Sequence, residues 1–194
     1  LIVYPPPAGT PSNGTAIVYC PGGGYIHVNT GGGIIQALFN PLGVTVFTLL
    51  YRCQEFGAPA PLQDVLRAVR LVRSHAAEFG LNPAHIGVLG GSAGSHVAGT
   101  AGTLYDDPLG KTGSPLDRVS ARPDFMILIF SVLSMEDPNA SAGSRKALLG
   151  ANPTPEAMAH YSIEKQVTAN TPPAFLIHTQ QDTSVKLENE LQLY

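Results

Sequence analysis

The 194-residue chain is 44% hydrophobic and only 13% charged, with a formal net charge of −3. That charged share is about half the usual one, and there is neither a basic stripe suited to nucleic acid nor an acidic tail. No apolar run approaches the ~20 residues needed to span a bilayer, so the totals describe a globular domain with a sizeable core and exclude nucleic-acid and membrane partners.

The chain opens at Leu1 rather than Met and has no signal-peptide pattern. Leu1–Tyr4 reads as a strand already under way, which predicts a missing beginning. Thr15–Cys20 is a β-branched and aromatic run, followed by a glycine triplet and a weak helical stretch over 31–39. Val44–Arg52 is a second buried strand. Over Pro61–Phe79 the residues Leu62, Val65, Leu66, Val69, Val72, Ala76 and Phe79 recur at helical spacing, with Arg67, Arg70 and Arg73 between them on the solvent side. Gly80 ends that helix and Pro83 follows. Ile86–Gly90 is a strand, Ala93–Leu104 a helix and Tyr105–Pro123 a polar loop. Phe125–Val132 is a further strand. Ser134–Thr171 inserts about forty residues, with helical pieces at Ser144–Leu149 and Thr154–His160, a length that usually forms a wall or lid. Ala174–His178 is the last strand and Val185–Tyr194 the last helical segment.

Near-continuous apolar strands alternating with helices predict an α/β fold, a mostly parallel, doubly wound sheet with helices on both faces. There is no linker and no internal repeat, so 1–194 reads as one domain. Cys20 and Cys53 do not make a disulfide framework. They read as two buried free thiols, with a single bridge between them as the alternative. No His/Cys/Asp spacing matches a metal-ligand set, and neither a metal nor a cofactor is expected.

Chemistry concentrates in Gly90-Gly91-Ser92-Ala93-Gly94. This is G-x-S-x-G where a buried strand gives way to a helix, the setting of a nucleophile elbow. Glycine at 90 and 94 removes side chains that would collide in so sharp a turn. The turn lifts Ser92 Oγ off the sheet edge and aims the first helical amides, Ala93 among them, at the space where an oxyanion would form. A glycine-rich turn that merely binds phosphate is the alternative. Upstream, Pro21-Gly22-Gly23-Gly24-Tyr25 follows a strand end, where contiguous glycines let amides turn toward a ligand. Gly23 and Gly24 would supply the other half of an oxyanion hole. The glycines are contiguous rather than spaced as G-x-G-x-x-G, which makes a dinucleotide site a poor match.

Together, the segments CPGGGY, YRCQEFGAPAPLQDVLRAVRLVRSHAAEFGLNPAHIGVLGGSAGSHVAG, SARPDFMILIFSVLSM and VTANTPPAFLIHTQQDTSV resemble an α/β-hydrolase. The similarity is to acetylxylan-esterase-like and feruloyl-esterase-like carbohydrate esterases, related to lipases with the HGGG loop. Pro21 stands where HGGG enzymes have histidine. The resemblance implies a serine ester hydrolase on small acyl esters, particularly acetyl groups of plant polysaccharide. It also implies Tyr25 at the substrate and a secreted or periplasmic location. The family's chain order is Ser, then Asp, then His. Asp182, just past the last strand, takes the acid's place, with Asp137 as runner-up and a helix N-cap as its structural alternative.

The base is missing. No histidine follows His178, and the last strand and helix of the fold are absent with it. His75 reads as a surface residue, and His85 lies at the wrong end of the sheet. His96 reads as packed beneath its own helix with local bonds, His160 as a helix end and His178 as a satisfied core residue. His27 is the one histidine expected on a loop at the catalytic edge. Three explanations remain open: a fragment of a longer enzyme, completion by a partner chain, or a non-catalytic relative that binds acylated sugars. A serine peptidase of the same fold is a further alternative. Without a following strand, Ala174–His178 forms an apolar edge, which predicts self-association.

Overall fold

The computed structural model describes residues 1–30 and 33–194. Its described strands are β1 (Ile2–Tyr4), β2 (Ala16–Cys20), β3 (Thr45–Thr48), β4 (Ile86–Gly91), β5 (Met126–Ile129) and β6 (Ala174–Ile177). They form one sheet in the order β1-β3-β2-β4-β5-β6. Every pairing is parallel except β1 against β3. Ile86 and Val88 on β4 and Met126 and Leu128 on β5 are sealed in one core with Ala16 and Val18 of β2. Ile17 and Leu89 point to the opposite face with Val44. Both faces of the central strands are thus buried, which is why their sequences run apolar without alternation.

The helices are α1 (Ile34–Phe39), α2 (Ala60–Ser74), α3 (Ala93–Thr103), α4 (Ala142–Leu149), α5 (Pro155–His160) and α6 (Glu188–Leu193). α2 and α3 cover the larger core. Ile35 and Phe39 of α1 pack on the other face, so helices lie on both sides of a mostly parallel sheet. The expected helix start at Gly31 and Gly32 lies outside the described residues.

Several expected boundaries shift. The strand over Val44–Arg52 keeps only Thr45–Thr48 in the ladder. The long helix stops at Ser74, where His75 caps it, and Ala76–Phe79 winds on as a 3₁₀ turn. The expectation that the arginines of α2 face solvent fails at Arg70, which is 2% exposed. The 105–123 segment folds over that face, and Arg70 answers it with bonds to the carbonyls of Gly110 and Val119 and an ion pair to Asp117 at 3.4 Å. Arg73 is also mostly covered and pairs with Asp124 at 2.9 Å. The chain's two cysteines are buried free thiols. Among the described residues no helix is long and apolar enough to cross a membrane, and no group of three or more His, Cys, Asp or Glu could hold a metal ion.

Candidate active site

Ser92 stands at the bend between β4 and α3 with φ 56° and ψ −127°, a backbone state that costs a non-glycine residue about 1–3 kcal/mol. The surroundings fix it. Its N–H donates to the Ile129 carbonyl at 3.0 Å, and its own carbonyl accepts from Ser95 N–H. The Ser95 hydroxyl donates to the Gly90 carbonyl at 2.7 Å and accepts from Ile129 N–H at 3.1 Å. A Cβ on Gly90 would sit 2.2 Å from the Gly94 carbonyl oxygen, and one on Gly94 would sit 2.0 Å from that of Cys20. Both contacts are with backbone, which cannot swing away. That is the physical content of the two glycines in G-x-S-x-G.

The glycine triplet lies against this bend. A Cβ on Gly22 would fall 3.3 Å from Ser92 Cβ and 2.9 Å from the Gly91 carbonyl oxygen, so the two segments share one small space. Gly23, Gly24 and Tyr25 follow with φ of 138°, 64° and 64°. Three left-handed residues in succession turn their amides out of any ladder. The N–H groups of Gly23, Gly24 and Ala93 find no acceptor among the described residues. Ser92 itself is half-buried. The site therefore offers a hydroxyl beside unpaired backbone donors at the positive end of α3.

Tyr25 does not reach this space. Its side chain is 1% exposed, and its hydroxyl lies 2.6 Å from His96 Nδ1. The expectation of a substrate contact is corrected accordingly: the phenol turns inward, because a buried acceptor awaits it there. His96, one turn into α3, is fully buried, and its Nε2 lies 2.7 Å from the Tyr161 carbonyl. A carbonyl only accepts, so Nε2 carries the proton and Nδ1 accepts from Tyr25 Oη–H. Burial pulls the imidazole down to about 4, keeping it neutral. Its partners are 71 and 65 residues away, not local as the sequence suggested. Tyr51 Oη donates to the Pro21 carbonyl at 2.7 Å. The glycine segment is thus tied at both ends, to α3 and to the segment after β3.

The acid candidate lies two strands across. Gly91 pairs with Ile129, and Ile129 with Ile177, which puts Ser92 and His178 in one row about 10 Å apart. Asp182 follows on the same edge. Its Oδ1 accepts from the N–H groups of Ser184 at 2.8 Å and Val185 at 2.9 Å. Those bonds hold its carboxyl below the usual aspartate range. Oδ2 keeps only His178 Nε2 at 3.6 Å, beyond hydrogen-bond reach, and so has room to accept an N–H. Asp182 caps a turn rather than α6, whose N-cap is Leu187. Asp137 pairs with Arg145 at 3.1 Å and its side chain is 76% exposed, a surface ion pair.

None of the six histidines makes a hydrogen bond to Ser92. His27 is exposed beside the glycine loop, and a Cβ on Gly23 would strike its carbonyl oxygen. His75 bonds the Leu71 carbonyl at the end of α2. His85 precedes β4 at the far edge, and His160 meets Asp107 at 3.0 Å. His178 donates through Nε2 to the Val185 carbonyl, while its Nδ1 lies 3.5 Å from Glu190 Oε1. Sequence reasoning passed over Asn189 and Glu190. Asn189 Oδ1 accepts from Leu133 and Ser134 N–H, and Glu190 Oε1 accepts from Ser131 N–H. These bonds dock α6 onto the segment after β5. The one signal was a pair of polar residues in a helix too short to justify burying them.

Endo-1,4-beta-xylanase B of Butyrivibrio fibrisolvens is 37% identical over 174 residues, covering 87% of this chain and 27% of that protein. Acetylxylan esterase of Xylanibacter ruminicola is 31% identical over 188 residues, 94% of this chain and 37% of that protein. The chain thus spans well under half the length of these curated relatives. The crystal structure of an acetyl ester-xyloside bifunctional hydrolase from Caldicellulosiruptor lactoaceticus matches with a TM-score of 0.90 at 40% identity, covering 99% of this chain and 70% of that one. The family model described as BD-FAE matches residues 1–194. Over its whole length, then, the chain belongs to the BD-FAE family and has the α/β-hydrolase fold.

Proposed function

We propose that the protein is a serine ester hydrolase acting on short acyl esters, acetyl groups on plant polysaccharide in particular. The observation that carries this reading is the strained Ser92 bend packed against a glycine loop with unpaired amides. Ser92 Oγ attacks the acyl carbon as a histidine removes its proton. The N–H groups of Ala93 and of Gly23 or Gly24 hold the developing oxyanion, each donor being worth roughly 3–4 kcal/mol. Asp182 Oδ2 orients the imidazole and stabilises its charged form. The alcohol leaves with the proton, and water then releases the acid from the acyl-serine by the same steps. No histidine among the described residues hydrogen-bonds to Ser92, and this reading assigns the base to none of them. The xylan-directed names of the relatives support the polysaccharide ester as substrate.

The test is hydrolysis of p-nitrophenyl acetate by the intact protein and by Ser92→Ala, with a fall of about a millionfold in kcat expected. Labelling of Ser92 by a fluorophosphonate is expected alongside. One observation favours a second reading, a sugar-binding relative without catalysis: none of the six histidines reaches Ser92. An intact protein that neither turns over the ester nor takes the label would overturn the hydrolase reading and favour the second.

A further inference from the structure

A groove of about 970 Å³ opens beside the glycine loop, between the 54–59 turn and α4. Its volume lies at the top of the roughly 300–1,000 Å³ range of sites that hold multi-ring ligands. Ile26, two residues from Gly24, forms its near wall. We propose that this groove is a saccharide subsite, which binds neutral sugar residues of the carbohydrate that carries the ester.

The lining suits a sugar ring. Such a ring has apolar C–H faces and a rim of hydroxyls, so it needs a flat aromatic surface with hydrogen-bonding groups at the edges. Phe56 supplies the surface. It is 59% exposed although the Arg52 guanidinium lies 5.5 Å from its ring centroid. That guanidinium is itself fixed by Asp64 at 2.8 Å, so the ring is braced from one side and open to the groove. Gln54, Glu55 and Lys146 line the rim and are exposed.

A second observation points to a ligand. Tyr161 lines the inner wall and is 5% exposed. Its hydroxyl is buried without a hydrogen-bond partner among the described residues. Burial pushes the phenol up to about 12, so at neutral pH it remains an O–H donor, suited to a sugar oxygen. The turn is also preorganised. Gln54 N–H donates to the Tyr25 carbonyl and Ala58 N–H to that of Leu148, both at 2.8 Å. The groove wall is thus bonded to the segment that carries the candidate oxyanion amides, and Ile26 of that segment lines it, so the proposal places one polysaccharide along both.

This inference rests on the esterase reading for its substrate, and its test separates the two. The intact protein and its Phe56→Ala and Gly143→Leu variants would be assayed on acetylated xylo-oligosaccharides and on p-nitrophenyl acetate. Gly143 lines the groove, and a Cβ there meets nothing within 4 Å, so a side chain can start from this position toward the groove. Both variants are expected to lose about tenfold in kcat/KM on the oligosaccharide, mainly through KM. On the small ester they are expected to stay within about twofold of the parent, which needs no groove contact. Calorimetry of deacetylated xylo-oligosaccharide with the intact protein is expected to show binding that Phe56→Ala removes. Equal losses on both esters, no loss on either, or a change in preferred acyl length would each overturn the subsite. If neither ester is turned over at all, the hydrolase reading falls while the calorimetric result still decides the groove.

Discussion

Lowering the pH toward 4 is expected to destabilise the fold through one residue, His96. In the folded protein its imidazole sits at about 4 instead of the ordinary 6.5, first because burial penalises the charged ring. The Tyr161 carbonyl bonded to Nε2 opposes this only in part. Above about pH 6.5 neither the folded nor the unfolded ring is charged, and the residue contributes no pH dependence. Between 6.5 and 4 the unfolded chain takes up a proton that the folded protein refuses, so stability falls as pH falls. At about 1.4 kcal/mol per pH unit, the full loss is about 3 kcal/mol, reached near pH 4. Carboxyls held low in the fold, among them Asp117, Asp182 and Glu156, act in the same direction but at lower pH. A difference measurement isolates the imidazole. Urea unfolding of the parent and of His96→Gln, followed by circular dichroism at half-unit steps between about pH 7.5 and 4.5, gives two stability curves. Glutamine can still donate to Tyr161 and accept from Tyr25 but cannot titrate. The parent curve is expected to drop toward the variant's by about 2–3 kcal/mol over this interval. Parallel curves would refute the argument, because they would mean that the ring takes up its proton in the fold as readily as in the unfolded chain.

Four other outcomes are expected. Gly94→Ala puts a methyl 2.0 Å from the Cys20 carbonyl oxygen and should cost about 3 kcal/mol or prevent folding, as read by urea unfolding and soluble yield. Arg70→Met removes the ion-pair partner of Asp117 and leaves the buried Gly110 and Val119 carbonyls without the guanidinium; a loss of about 1–3 kcal/mol from the unpaired carbonyls is expected in the same measurement. Cys20 and Cys53 are buried with thiols pushed up, so dithionitrobenzoate should label neither in the native protein and both in urea. The β6 edge exposes Phe175 at 64% and Ile177 at 42%. The 194-residue chain should therefore self-associate in a light-scattering concentration series, and Phe175→Lys should suppress this.

What could be read from the residues was what local sterics dictates. A serine between glycines at a strand end can adopt few other shapes, and the bend at Ser92 followed from the pattern alone. The strands and their faces were legible because two-sided burial leaves a continuous apolar run. Arg70 was not legible, since helical periodicity knows nothing of the 105–123 segment that returns to cover it. Tyr25 misled for the same reason. A tyrosine after a glycine loop looks like a ligand contact until its acceptor, 71 residues on, is known to lie behind it. Asp182 was singled out by the chain order that the resemblance implies, whereas the bonds that leave its Oδ2 open depend on how 184 and 185 turn. The 54–59 turn had no periodicity to reveal it. It becomes a groove wall only because Leu148, from the insertion, captures Ala58.

Tyr161 divides its labour between main chain and side chain. Its carbonyl belongs to the chain of contacts running through His96 to Tyr25, whereas its ring belongs to the groove. Exchanging the ring for another side chain leaves that carbonyl where it is. Replacing the ring therefore changes the wall of the proposed groove without removing the acceptor of His96 Nε2, so a substitution there can alter the groove while the tie from α3 to the glycine loop persists.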